Sequence, residues 1–164
     1  MSASWWRHLV TPPWALRRAF PAAALAAIND AVAAGERLHS AEVRVAVEAA
    51  FSLRRLWRGV TPRERAIDVF SRLRMWDTAG NNGVLIYVLL AEHDIEIVAD
   101  RAFTEQVPAV AWEEICQAMV AAFHAGDYLN GTLQAVARVH ALAAPLFPAA
   151  GGSPNELPDT TVLL

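Results

Sequence analysis

The side chains able to do chemistry in this chain are mostly acids and amides. Glu36, His39 and Glu42 lie close together, Asp77, Asn81 and Asn82 form a second group, and Asp100-Arg101 a third. Carboxylates with amide carbonyls form the hard oxygen set that Ca²⁺ or Mg²⁺ selects, and a single His without thiols makes a poor structural zinc site. Several carboxylates gathered at one place repel each other unless something positive sits among them. A structural reading stands beside this one: Asp77 and the two Asn residues make a turn, Glu42 caps a backbone amide, and Asp100 pairs with Arg101. No conventional nucleophile accompanies the acids. Ser40, Ser52 and Ser71 lack the setting of a nucleophile elbow, and Gly80-Asn81-Asn82-Gly83 precedes a strand instead of joining strand to helix, as a phosphate loop does. Cys116 lies mid-helix and reads as inert core.

Whether those groups meet depends on the elements around them. Val84 to Leu90 is a run of seven apolar residues, too short to span a membrane and suited to a strand buried on both faces. The Glu92-His93-Asp94 corner and an alternating strand, Ile95 to Ala99, complete a hairpin. Upstream, Glu42 opens another strand, with Val43, Val45 and Val47 on one side and Arg44, Ala46 and Glu48 on the other. Thr61-Pro62-Arg63-Glu64 is a capping box that starts a helix running to about Met75. Strand, helix and strand in that order predict a parallel Glu42–Val84 pair with a right-handed crossover. That topology carries Glu36, His39, Glu42, Asp77, Asn81, Asn82, Asp100 and Arg101 to one rim, at the amino ends of the parallel strands. The opposite rim has little beyond the Glu92-His93-Asp94 corner. Open α/β sheets generally bind ligands at the carboxyl ends.

The other segments read as helices. One follows Pro21 with Leu25, Ile28 and Val32 on a face. Another spans about Ala111 to His124 with Trp112, Ile115, Met119 and Phe123, and a last one runs to about Ala144, ended by Pro145 and Pro148. Arg54, Arg55 and Arg58 are expected in solvent, and the seven Arg residues between positions 54 and 74 read as a solvated face because Glu64 and Asp68 are interspersed. The fold class is α/β: a small mixed sheet, parallel βαβ plus antiparallel hairpin, sandwiched by helices as α/β/α. Residues 1–20 form an aromatic arm, 21–148 a single domain, and 149–164 a disordered tail. In the arm, Trp5, Trp6, Trp14, Arg7, Arg17 and Arg18 suggest either membrane-surface contact or packing of the Trp side chains on the domain. Packing is the expectation, since Pro12-Pro13 breaks any long amphipathic helix.

Composition narrows the partners. All fourteen basic residues are Arg, the net charge is −3, and 55 % of residues are hydrophobic. Such a balance gives no drive toward nucleic acid and argues against extended disorder. One cysteine excludes an intramolecular disulfide. No stretch has the length of a membrane span or the apolar core of a signal peptide, which predicts a cytoplasmic protein.

The segment NNGVLIYVLL, the short turn into DIEIVAD, the tryptophan-led helix and GDYLNGTLQAV together resemble the TPM domain, over about residues 21 to 147. This is the domain of the thylakoid-lumen acid phosphatase and of many bacterial envelope proteins. The resemblance implies an α/β/α sandwich with an acidic cleft able to hold Ca²⁺, and carries Glu42, Asp77, Asn81, Asn82 and Asp100 onto that cleft. Where many members have a glycine-rich segment, this chain has VADRAF. The functional expectation is a binding or regulatory domain whose cleft holds Ca²⁺ or Mg²⁺ through Glu42, Asp77, Asn81 and Asp100. One alternative is a metal-assisted phosphomonoester hydrolase, with Asp100 as base or ligand and Asn82 and Arg101 contacting phosphate. Another is a module that meets a protein partner or membrane surface through its aromatic arm.

Overall fold

The computed structural model describes residues 5–149 and 156–164. Three helices open the chain, α1 (Trp5–Val10), α2 (Pro13–Ala19) and α3 (Ala22–Glu36). Pro12-Pro13 separates the first two, and Pro21 is the N-cap of the third, where its missing N–H removes no helical bond. After β1 (Glu42–Glu48) come a short α4 (Leu53–Trp57) and α5 (Pro62–Arg72). The capping box of α5 forms as expected: the Glu64 N–H donates to Thr61 Oγ1, and the Thr61 N–H to the Glu64 carboxylate at 2.8 Å. The hairpin of β2 (Gly83–Leu89) and β3 (Asp94–Ala99) follows, then α6 (Arg101–Thr104), α7 (Ala109–His124), α8 (Tyr128–Leu146) and β4 (Val162–Leu163).

Strand order is β3-β2-β1-β4, with β1 parallel to both β2 and β4 and the β2–β3 pair antiparallel. Val43, Val45, Val84 and Ile86 pack on one face against Ile28 of α3, Met119 of α7 and Val136 of α8. Ala46, Leu85, Tyr87 and Val98 pack on the other against Ala66, Val69 and Phe70 of α5. With both faces covered, the mixed sheet is the middle layer of an α/β/α sandwich, and β1 and β2 are buried along their whole lengths.

Continuous burial leaves β1 with charges inside. Glu48 is 2 % exposed, and its carboxylate accepts from Arg65 Nε, Arg55 Nη1 and Tyr87 Oη, each at 2.7 Å. Arg65 is itself buried and also bonds Asp68. Two expectations are corrected here. Arg55 does not stay in solvent with Arg54 and Arg58, and Arg65 leaves the solvated face, because a buried carboxylate needs paired donors.

Three further corrections concern the ends. Residues 156–164 are not a structureless tail: β4 pairs with β1, and the Leu164 N–H donates to Val47 O at 2.9 Å. Residues 150–155 of that expected tail lie outside those described. The last helix continues through Pro145 to Leu146, since Ala141, whose carbonyl loses the proline as donor, is on the exposed side. The amino-terminal arm does dock, yet not through Trp6 or Trp14. Trp6 and Trp14 are 50 % and 61 % exposed, while His8, Leu16 and Phe20 are buried. His8 accepts the Phe51 N–H at Nδ1, so its Nε2–H donates to Glu92 Oε1 at 2.8 Å. Residues 1–4 and the Trp5 side chain lie outside what is described.

Glu48→Ala leaves the buried Arg65 guanidinium with Asp68 alone and the Tyr87 hydroxyl without its acceptor, and should cost about 2–4 kcal/mol of stability in urea denaturation.

Candidate functional site

Three segments deliver their ends to one edge. Glu42 stands opposite Gly83 in the parallel pair, and the Asp100 N–H donates to Gly83 O at 2.9 Å just past β3. Alternation places Glu42 on the face of Ala46, and Asp100 on the face of Val98, so both look toward the α5 layer. Between them, the space a side chain would fill at Gly83 is taken by backbone: a Cβ there would collide with the Met75 carbonyl oxygen. The amino rim inferred from topology thus exists, and it holds Glu42 and Asp100 on the same side.

The individual residues are tied down to different degrees. Glu42 is 5 % exposed, and its Oε1 and Oε2 accept the Glu156 and Leu157 N–H groups at 2.9 and 3.2 Å. Burial raises its carboxyl above the ordinary range while those amides pull it back. Asn82 is 2 % exposed; its Nδ2 donates to Ser40 O at 3.0 Å and its N–H to Thr78 Oγ1, while Oδ1 is buried without a donor. Asp100 Oδ1 caps α6 by accepting the Arg101 N–H at 2.7 Å, and Oδ2 is buried without a donor. Asn81 has φ 48°, the left-handed conformation Asn tolerates, and its Oδ1 accepts from Arg101 Nη2 at 2.8 Å. Asp77 is exposed in the turn that follows Arg74. Among the described residues no three His, Cys, Asp or Glu are grouped to hold a metal ion.

His39 leaves the rim. It is 2 % exposed and turned to α8, where its Nε2 lies 2.7 Å from His140 Nδ1. Its Nδ1 accepts the Ala41 N–H, so the proton sits on Nε2 and His140 Nδ1 is the acceptor. Gly35 makes room for this pair, since a Cβ there would collide with the His140 ring. Burial, then the neighbouring His39, push His140 down to about 4.

Glu36 stays near the rim and gains partners from the carboxyl terminus. Its Oε1 accepts the Val43 N–H at 2.7 Å, and its carboxyl hydrogen-bonds Asp159. Burial, reinforced by Glu42 and Asp159, pushes Glu36 up to about 9. Arg44, 8 % exposed, is attracted to Asp159, Glu36 and Glu42 and reaches toward Thr160 O. Glu156 and Asp159 are the rim residues that sequence reasoning missed, with Thr161 bonded farther along to Asn29. The glycine and prolines before them read as a tail, although the β-branched, apolar ending Thr160-Thr161-Val162-Leu163 carried a strand signal.

The carboxyl rim holds more than the one corner expected there. A groove of about 760 Å³ runs between α2 and the start of α8, lined by Trp14, Arg18, His93, Asp127 and Tyr128 among others. The Asp127 carboxylate accepts the Asn130 N–H at the head of α8, so a negative charge already occupies that helix terminus. The amino rim, with the orphaned acceptor oxygens of Asn82 and Asp100 beside buried Glu42, is taken as the candidate site. Cys116 takes no part in either, because burial pushes its thiol up to about 11.

A carboxyl raised on folding favours the folded state most at pH values below its unfolded range, and that contribution is lost as pH climbs through the folded value. For Glu36 the window runs from about 4.5 to about 9. Wild-type stability should therefore carry a declining component across this window in thermal unfolding, and Glu36→Gln should flatten it.

The TPM domain family model matches residues 17–142. Among solved structures, the NMR structure of the BA42 protein from the psychrophilic bacterium Bizionia argentinensis is 28 % identical, covers 88 % of this chain and 94 % of that one, and superposes with a TM-score of 0.77. No curated protein matches the chain. With the family model spanning most of the sequence and the sandwich matching a solved relative, the chain belongs to the TPM domain family.

Proposed function

We propose that this domain is a binding module that takes a divalent cation, Ca²⁺ or Mg²⁺, at the amino rim of its sheet. The observation that carries the reading is the pair of acceptor oxygens, Asp100 Oδ2 and Asn82 Oδ1, buried there without a donor. Buried polar atoms are nearly always satisfied, and the chemistry that suits orphaned acceptors beside several carboxylates is a hard cation. Asp100 and Asn82 would hold it with Glu42, Asn81 contributing from the adjoining turn and Asp77 from the exposed one. The ion would add positive charge to that of Arg44, which lies among Glu36, Glu42 and Asp159.

The hydrolytic alternative uses the same residues. A bound cation polarises a phosphoryl oxygen, Asp100 serves as base, and Asn82 with Arg101 contacts the phosphate. Arg101, exposed beside Asp100 and bonded to Asn81, is the cation that supports this reading. A different surface favours the interaction-module alternative. Trp6 and Trp14 remain largely exposed in an arm that also carries Arg7, Arg17 and Arg18.

Thermal unfolding with millimolar Ca²⁺ or Mg²⁺ separates the first two. A cation at 100 times its dissociation constant should stabilise the wild type by about 2.7 kcal/mol, and Asp100→Asn should remove most of that gain. No shift in either metal would sink both cation readings. A shift without hydrolysis of an aryl phosphate above the Asp100→Asn background leaves the binding module and eliminates the enzyme. The arm is tested separately: on that reading, deletion of residues 1–14 abolishes salt-sensitive binding to anionic vesicles, and an intact chain that ignores such vesicles rules it out.

A further inference from the structure

The carboxyl-terminal segment is seated in the proposed cation cleft. Glu156 spans it: its N–H donates to Glu42 Oε1 at 2.9 Å, and its own carboxylate accepts the Ala79 N–H at 3.0 Å, on the turn that leads to Asn81 and Asn82. The next N–H, of Leu157, takes the other Glu42 oxygen at 3.2 Å. Both oxygens of a candidate ligand are thus engaged by donors from a single dipeptide. A cation drawn to Glu42 meets the positive ends of two N–H dipoles on a carboxylate that is only 5 % exposed, so the amides and the ion compete for its charge.

The remainder of the segment is fastened by Asp159 and Thr160 O near Arg44, by Thr161, and by the edge of β1. Asn29 Oδ1 accepts both the N–H and the hydroxyl of Thr161 at 2.8 Å, and β4 contributes two residues of pairing along the edge of β1. Leu157 and Val162 are only partly buried against the α5-side core. Such contacts hold a segment in place without making it part of the global folding unit.

We propose that residues 156–164 form an intrasteric strap: its Glu156-Leu157 amides and a divalent cation compete for Glu42, so that cation binding loosens the strap from the edge of β1 and strap docking weakens the cation. The inference rests on the cation reading above and gives that site its regulation. Reciprocity is required by linkage: if the strap lowers cation affinity by some factor, the cation lowers strap docking by the same factor. A loosened strap leaves the Ala46–Val47 stretch of β1 unpaired on that side, an edge to which another extended segment can add.

The test is backbone hydrogen exchange on the full chain during a Ca²⁺ titration, with calorimetry on wild type and Asn29→Ala. The substitution loosens the strap at Thr161 while leaving every rim residue intact. Expected is exchange at Glu156 and Leu157 accelerated by about tenfold at saturating Ca²⁺, within the usual range of coupling between sites. Amides of the sheet centre, such as Ile86, should not accelerate. Asn29→Ala should bind Ca²⁺ more tightly than wild type, and binding by Asn29→Ala alone would be the strongest form of the same result. Saturable Ca²⁺ binding with exchange at Glu156 and Leu157 unchanged or slowed overturns the strap and leaves the cation site standing. Absence of binding heat in both proteins, together with absence of a thermal shift, removes the cation reading itself and the strap with it.

Discussion

The register of β1 on β2 is the constraint from which the rest follows. Glu42 opposite Gly83 places Val43, Val45 and Val47 beneath α3, α7 and α8, and Ala46 beneath α5. Slipping the pair by one residue would turn the valines toward α5 and drive Arg44 and Glu48 into the larger apolar layer, so burial on both faces makes the register strongly preferred. The same register brings the amino ends of both strands level and, through the hairpin, sets Asp100 beside Gly83.

Polar residues on the α5 face show how the sheet tolerates charge in its interior. Glu48 at one end of β1 is bonded to Arg55, Arg65 and Tyr87. Glu42 at the other end has backbone amides from the carboxyl-terminal segment and the more distant attraction of Arg44. One carboxylate is therefore neutralised chiefly by cations of the fold, and the other chiefly by backbone dipoles of the carboxyl-terminal segment.

Burial, reinforced by Glu42 and Asp159, keeps the proton on Glu36 well above the usual carboxylate range, a cost to the folded chain at neutral pH and above. Across the domain, the His39–His140 pair meets burial differently. It stays neutral with fixed tautomers, the shared bond satisfying His39 Nε2 and His140 Nδ1 while His140 Nε2 is buried without a partner, and Gly35 gives up a side chain to admit the ring.

Local signals in the sequence determined the elements and their order: the apolar run from Val84, the valine alternation from Glu42, and the Thr61–Glu64 box. Crossover handedness then led to the shared rim of Glu42, Asn82 and Asp100, since strand direction follows from order alone. Partners across long sequence separations were not legible. Nothing near Glu42 in the chain announces Glu156 and Leu157, nothing near Glu48 announces Arg65 or Tyr87, and nothing near His39 announces His140. Composition around positions 149–155 pointed to a tail, because propensity reports what a segment does alone and a two-residue strand exists only where an edge is waiting for it. The sequence by itself determined the three principal strands and the end of the sheet at which Glu42 and Asp100 lie, and it missed β4 with Glu156 and Asp159. Tertiary structure alone decided which of those acids are already bonded, since hydrogen-bond partners are chosen by proximity in space and carry no period along the chain.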